Sequence, residues 1–202
     1  MIRYFLMAAL LAAMGSLSAQ LPSNIPTNGL VAWYPFNGNA DDESGNGHDG
    51  VNHGAVLTAD RNGLTNAALS FDGSTSWVEV TDPLLGSTLS SHTISAWFKT
   101  TMTVHGVIIS NRYTDNWAYS YYVNFSHPTF PGGMGSGSHN GSSGGNGTVS
   151  ETMGMNDDQW WHVAIVMDVA ANTYSTYING QLDSTTTGID PNQWSGDPNP
   201  TS

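Results

Sequence analysis

Residues 160–182 read WWHVAIVMDVAANTYSTYINGQL, and this stretch decides the fold class. Trp161, Val163, Ile165 and Met167 recur at every second position. Side chains alternate between the two faces of an extended strand, so the spacing predicts a strand with one face in a core. Residues 174–178 form a second extended run and lead into Asn179-Gly180. Both residues tolerate positive φ, which is what the two-residue turn joining antiparallel strands requires. Gln181-Leu182 begin the return strand. The unit is therefore antiparallel β-structure.

The same alternation extends outward. In HTISAWFK (92–99), Ile94, Ala96 and Phe98 share one side; in WVEV (77–80), Val78 and Val80 do. In YSYYVNF (119–125), Tyr119, Tyr121, Val123 and Phe125 fall together. Residues 107–109 (VII) are apolar in both directions and predict a central strand. Residues 30–34 (LVAWY) read as the first strand, and 69–71 as a short one before the Asp72-Gly73 turn. About ten strands result, bounded by Gly, Asn, Asp and Pro and without a helix between them, which is how a sandwich or barrel reads. Residues 131–148 (PGGMGSGSHNGSSGGNGT) are Gly/Ser-rich. Such a composition is flexible and lacks core-forming side chains, so the expectation is a long loop inserted between two strands.

Residues 1–19 have the layout of a secretory signal peptide. Arg3 supplies the positive start, residues 4–14 (YFLMAALLAAM) the apolar run, and residues 16–19 (SLSA) a mostly small-residue end. The apolar run is too short to span a bilayer, and the alternative is a buried N-terminal helix. Cleavage after Ala19 leaves about 180 residues, enough for one domain with a real core, expected from 26 to 202. The expected location is secreted, extracellular or at the cell surface. No cysteine is present, so disulfides contribute nothing.

The chain carries 16 Asp and Glu against 4 Lys and Arg, a net charge of −12. Nucleic acid demands a basic footprint, and anionic membranes a polybasic patch; neither is present. No later segment is apolar enough to be transmembrane. This balance suits neutral ligands or cations, or serves solubility alone.

A resemblance now adds to the residues. Residues 29–50 (GLVAWYPFNGNADDESGNGHDG) are similar to the opening of laminin-G-like domains of the bacterial concanavalin A-like superfamily. ALSFDG (68–73), TISAWFK (93–99), WWHVAIVMD (160–168) and YINGQL (177–182) follow in the family's order. The match spans 29–185. It implies an all-β, two-sheet antiparallel jelly-roll sandwich, often with structural calcium. It also implies glycan or protein binding as an accessory to larger secreted proteins. The family's closing strands have no counterpart in the Pro-rich residues 190–200, so the expectation is a sandwich lacking its last strand or strands, with an unpaired edge.

The candidate metal ligands crowd one loop. Calcium takes six to eight oxygens from carboxylates, amides and carbonyls. Asp41, Asp42 and Asn46 lie within six residues, with Asp72 as a further candidate. The loop is not an EF-hand, because His53 stands where the twelfth-position Glu belongs. The alternative is that these side chains cap their own turn. The histidines have no zinc spacing, and His162 reads as a structural hydrogen-bonding residue.

Intrinsic catalysis is not expected. A glucanase would hold two carboxyls on one strand face, in a pattern resembling E-x-D-x-E, and Glu43, Glu79 and Glu151 stand in no such pattern. The Gly-Ser-Gly repeats near Ser136 lack the strand–turn–helix setting of a nucleophile elbow. For ligand binding, Tyr113, Trp117 and Tyr122, with Tyr119 nearby, are the candidate stacking rings; each has packing in the core as its alternative. Carbohydrate recognition by a secreted accessory module is the leading expectation, and a protein-interaction or adhesion domain the other.

Overall fold

The computed structural model describes residues 21–23, 25–82, 84, 90–104, 106–110, 118–125, 132–140 and 145–188, and the side chains of 118–125, 136–140 and 145–147 fall outside that description. Twelve strands and no helix are found among them. The first four are short: β1 (Val51–His53), β2 (Val56–Thr58), β3 (Ala68–Ser70) and β4 (Trp77–Glu79). They nest into two antiparallel pairs, β1 with β4 and β2 with β3. Two four-stranded antiparallel sheets make the body. One runs β12 (Gln181–Thr187), β11 (Thr173–Ile178), β10 (Trp161–Asp168), β5 (His92–Phe98). The other runs β6 (Gly106–Ser110), β7 (Ala118–Phe125), β8 (Met134–Asn140), β9 (Gly145–Val149). After β5 the chain crosses to the second sheet, meanders through four strands, and returns at β10 beside β5.

The core lies between these sheets. Val163, Ile165 and Met167 of β10 are buried with Tyr174 and Ile178 of β11, against Met134 of β8 and Met155. Ile94, Ala96 and Phe98 of β5 pack on this cluster with Ile108 and Ile109 of β6. Alternation therefore sorted the faces of β5 and β10 correctly. The Asn179-Gly180 turn has φ of 50° and 80°, the two positive values of the expected hairpin. The fold is all-β, two antiparallel sheets packed as a sandwich.

Three expectations need correction. Residues 131–148 are not a loop without regular structure, since β8 and β9 pair across five positions, from Gly135↔Val149 to His139↔Gly145. Backbone hydrogen bonds alone can hold such a ladder, and Met134 anchors its start with no exposed surface. β6 is not central but ends the strand order among the described residues. A register shift between Val107 and Ile109 accounts for its apolar run, as a bulge breaks the alternation of faces. Residues 30–34 form no strand. Their backbone groups are taken by a neighbouring loop, described next. Residues 189–202, where the closing strands were expected to be missing, lie outside the described residues.

Candidate functional site

The acidic loop is a closed hydrogen-bonded unit centred on Asp42. Its Oδ1 accepts from the N–H groups of Trp33 at 2.8 Å and Ser44 at 2.9 Å. Its Oδ2 accepts from the Ser44 hydroxyl at 2.8 Å and the His48 N–H at 3.1 Å. Burial raises the Asp42 pKa, but these four donors outweigh it and hold the carboxyl below its usual range. Asn46 Nδ2 donates to the carbonyls of Leu30 and Val31, both at 2.8 Å. Asp41 pairs with Asn39 through Oδ2 at 2.6 Å.

Asp72 sits in a separate turn after β3. It accepts from the N–H groups of Ser74, Thr75 and Ser76 and from two hydroxyls. Chiefly through the Thr75 hydroxyl, its pKa falls far below the usual range.

A carboxylate offers about four lone-pair sites, and the four Asp42 bonds occupy that number. Among the described residues no three His, Asp or Glu side chains converge on a common point. The Asp42 oxygens and the Asn46 amide nitrogen are thus engaged within the loop, as in a turn capped by its own side chains, and Asp72 stands in a separate turn.

The proposed aromatic ligands divide differently. Tyr113 and Trp117 lie outside the described residues. Tyr122 belongs to β7, opposite Ser110 of β6 and Gly137 of β8, and its side chain is outside the description.

Two other indoles do reach the surface. Trp97 faces away from the core on β5, opposite His162 of β10. The Arg61 guanidinium lies 4.5 Å from the centre of the Trp97 ring, and the His162 ring is tilted against it at 5.1 Å. Burial, then the Arg61 charge, lowers the His162 pKa, so the imidazole is neutral beside the guanidinium at neutral pH. Trp97 is thus already engaged by two side chains, while the His162 backbone N–H donates to Asn179 Oδ1 at 2.9 Å and its carbonyl accepts from the Asn179 N–H at 2.9 Å.

Trp77 is different. It stands on β4 directly opposite His53 of β1, and the rings stack 4.5 Å apart at 16°. His53 Nε2 lies 2.9 Å from Glu79 Oε2. A carboxylate there can only accept, so this imidazole nitrogen carries the proton. Glu79 is two residues from Trp77 on the same strand face. Trp77 remains 52% exposed, with His53 stacked on one face of its ring. The strand WVEV already implied that Trp77 and Glu79 share a side. What placed His53 behind the ring is the β1–β4 register, which no local pattern encodes.

The model of the concanavalin A-like lectin/glucanases superfamily, of laminin-G type, matches residues 72–201. None of the curated proteins matches. Among solved structures, the carbohydrate-binding module CBM40 of the Ruminococcus gnavus IT-sialidase is similar, with 18% identity and a TM-score of 0.43. That match covers 55% of this chain and 60% of that one. The same module bound to α2,3-sialyllactose gives 18% identity and a TM-score of 0.42, covering 52% of this chain and 57% of that one. The chain thus spans about three fifths of each of these structures. The family match covers more than half of the sequence, and the chain belongs to the concanavalin A-like lectin/glucanases superfamily.

Proposed function

We propose that this chain is a secreted glycan-binding module without catalysis of its own. The observation that carries the reading is Trp77, a half-exposed indole backed by His53, itself held by Glu79. Sugar rings present C–H groups on their faces, and the negative face of an indole attracts them. A ring already fixed by a stack loses little freedom on binding, so more of the contact energy is available for affinity. The absence of catalysis is supported by the carboxylates: Glu43 bonds to Asn37, Glu79 to His53, and Glu151 lies on a third segment.

Trp77→Ala is expected to weaken retention on a glycan array, or affinity for the best array ligand, at least tenfold. Its circular dichroism should stay unchanged, because the ring is outside the core. Unchanged glycan binding by the variant would sink the Trp77 assignment. Binding to extracellular proteins but to no glycan would replace the reading with an adhesion domain.

Secretion is supported by the charged start and apolar run of residues 3–14. Protein recovered outside the cytoplasm should begin at Gln20, and N-terminal sequencing that finds Met1 there would overturn this part.

A further inference from the structure

We infer that the Trp77 platform takes uncharged pyranosides and turns carboxylated and sulfated glycans away, with Glu79 responsible for both; the inference rests on the glycan reading above. Glu79 Oε2 is used by His53, while Oε1 takes no hydrogen bond from the described residues, and the side chain is about half exposed. An ionised carboxylate is an acceptor only. Its natural partner in a sugar is therefore a hydroxyl, bound as a charge-assisted hydrogen bond.

The spacing suits this. Residues two apart on one strand face stand about 7 Å from each other, comparable with the width of a pyranose ring. A sugar stacked on Trp77 can thus bring an edge hydroxyl to Glu79. Val51 stands opposite Glu79 in the same ladder and is also half exposed, which adds apolar surface to the footprint.

The same carboxylate acts against anions. Of the described cations, Arg61 lies over Trp97 and Lys99 pairs with Asp158 at 3.4 Å, so neither neutralises this face. Asp82 follows closely on the same segment and is exposed, with His48 Nδ1 at 4.0 Å. The whole chain is acidic, with a net charge of −12. An acidic sugar would meet a carboxylate with no Lys or Arg partner among the described residues, its one partner being the His53 imidazole, on a chain of negative charge, and like-charge juxtaposition is an effective way to exclude a ligand.

The test uses pairs that differ only in charge: oligogalacturonates against their methyl esters, and lactose-type glycans with and without sialic acid or sulfate. Wild-type protein should retain the neutral member of at least one pair and bind its acidic counterpart at least tenfold more weakly. Glu79→Gln should narrow that difference to about threefold, because the amide still accepts a hydroxyl but no longer repels. Trp77→Ala should lose both members. Wild-type preference for acidic members would overturn the inference and move the site to Arg61 above Trp97, leaving the glycan reading intact. An undiminished difference in Glu79→Gln would overturn the role of Glu79. Retention of no glycan at all would bring down both readings.

Discussion

Replacing Asp42 with alanine is expected to lower the stability of the domain by about 2–4 kcal/mol, and neither calcium nor EDTA should change that deficit. Asp42 is 8% exposed, and its carboxylate satisfies three backbone N–H groups and one hydroxyl. Hydrogen bonds to a charged group contribute about 1.5–3 kcal/mol each. Water can reach some of the orphaned donors in the variant, which keeps the total below their sum. For a domain of this size the loss corresponds to roughly 10 °C in Tm. Asp42→Asn should fall between, since its amide oxygen accepts for only part of the set.

The pH dependence carries a definite sign. The unfolded Asp42 carboxyl titrates near 3.9, and the folded one lies lower. Between these values the unfolded state binds more protons, so acidification favours unfolding. The contribution of Asp42 is therefore complete above about pH 4 and is lost as pH falls through the folded value. The gap between wild type and Asp42→Ala should be constant from pH 5 to 7 and shrink in more acid solution, measured by urea melts at each pH. A wild-type Tm that rises with millimolar calcium and falls with EDTA, with Asp42→Ala blind to both, would restore a metal at this loop.

The elements legible in the sequence are those whose information is carried by side chains. β5 and β10 could be read because a residue at every second position was apolar, and β11 because Asn179-Gly180 closed its hairpin. The run LVAWY has the composition of a strand too, but its backbone groups are claimed elsewhere. Trp33 N–H goes to Asp42, the Trp33 carbonyl accepts from Glu43, and the Leu30 and Val31 carbonyls accept from Asn46. A capping loop so rich in Asx competes with a ladder for the same groups, and composition does not say which wins. The candidate site was half legible. Alternation placed Trp77 and Glu79 on one side, whereas His53 arrives through pairing between segments 24 residues apart in register. What separates Trp77, stacked on one ring, from Trp97, which meets both Arg61 and His162, is a property of the packed sheet alone.

The stretch least legible in the sequence gives the other large prediction. Met134→Ala is expected to cost about 3 kcal/mol, within the range found for large-to-small changes at fully buried sites. Met134 is the only large apolar side chain in a run of Gly, Ser, Asn, Thr and one His up to Val149. It has no exposed surface and joins the cluster of Met155, Val163, Ile165, Met167, Tyr174 and Ile178. Its backbone is also fixed, by the Ser150 hydroxyl at 2.7 Å and in return by the Ser150 N–H at 2.8 Å. Truncating the side chain leaves a cavity that a close-packed sandwich closes only in part. A segment that behaved as a flexible loop would predict the opposite: truncation within about 0.5 kcal/mol of neutral, as at ordinary surface sites. Urea denaturation therefore discriminates the two, with Val104→Ala as the exposed control, since Val104 is 67% exposed. If Met134→Ala and Val104→Ala have equal midpoints, the Gly/Ser-rich hairpin contributes nothing to the core. If only Met134→Ala falls, one methionine ties a ladder with almost no side-chain information of its own to the sheet opposite.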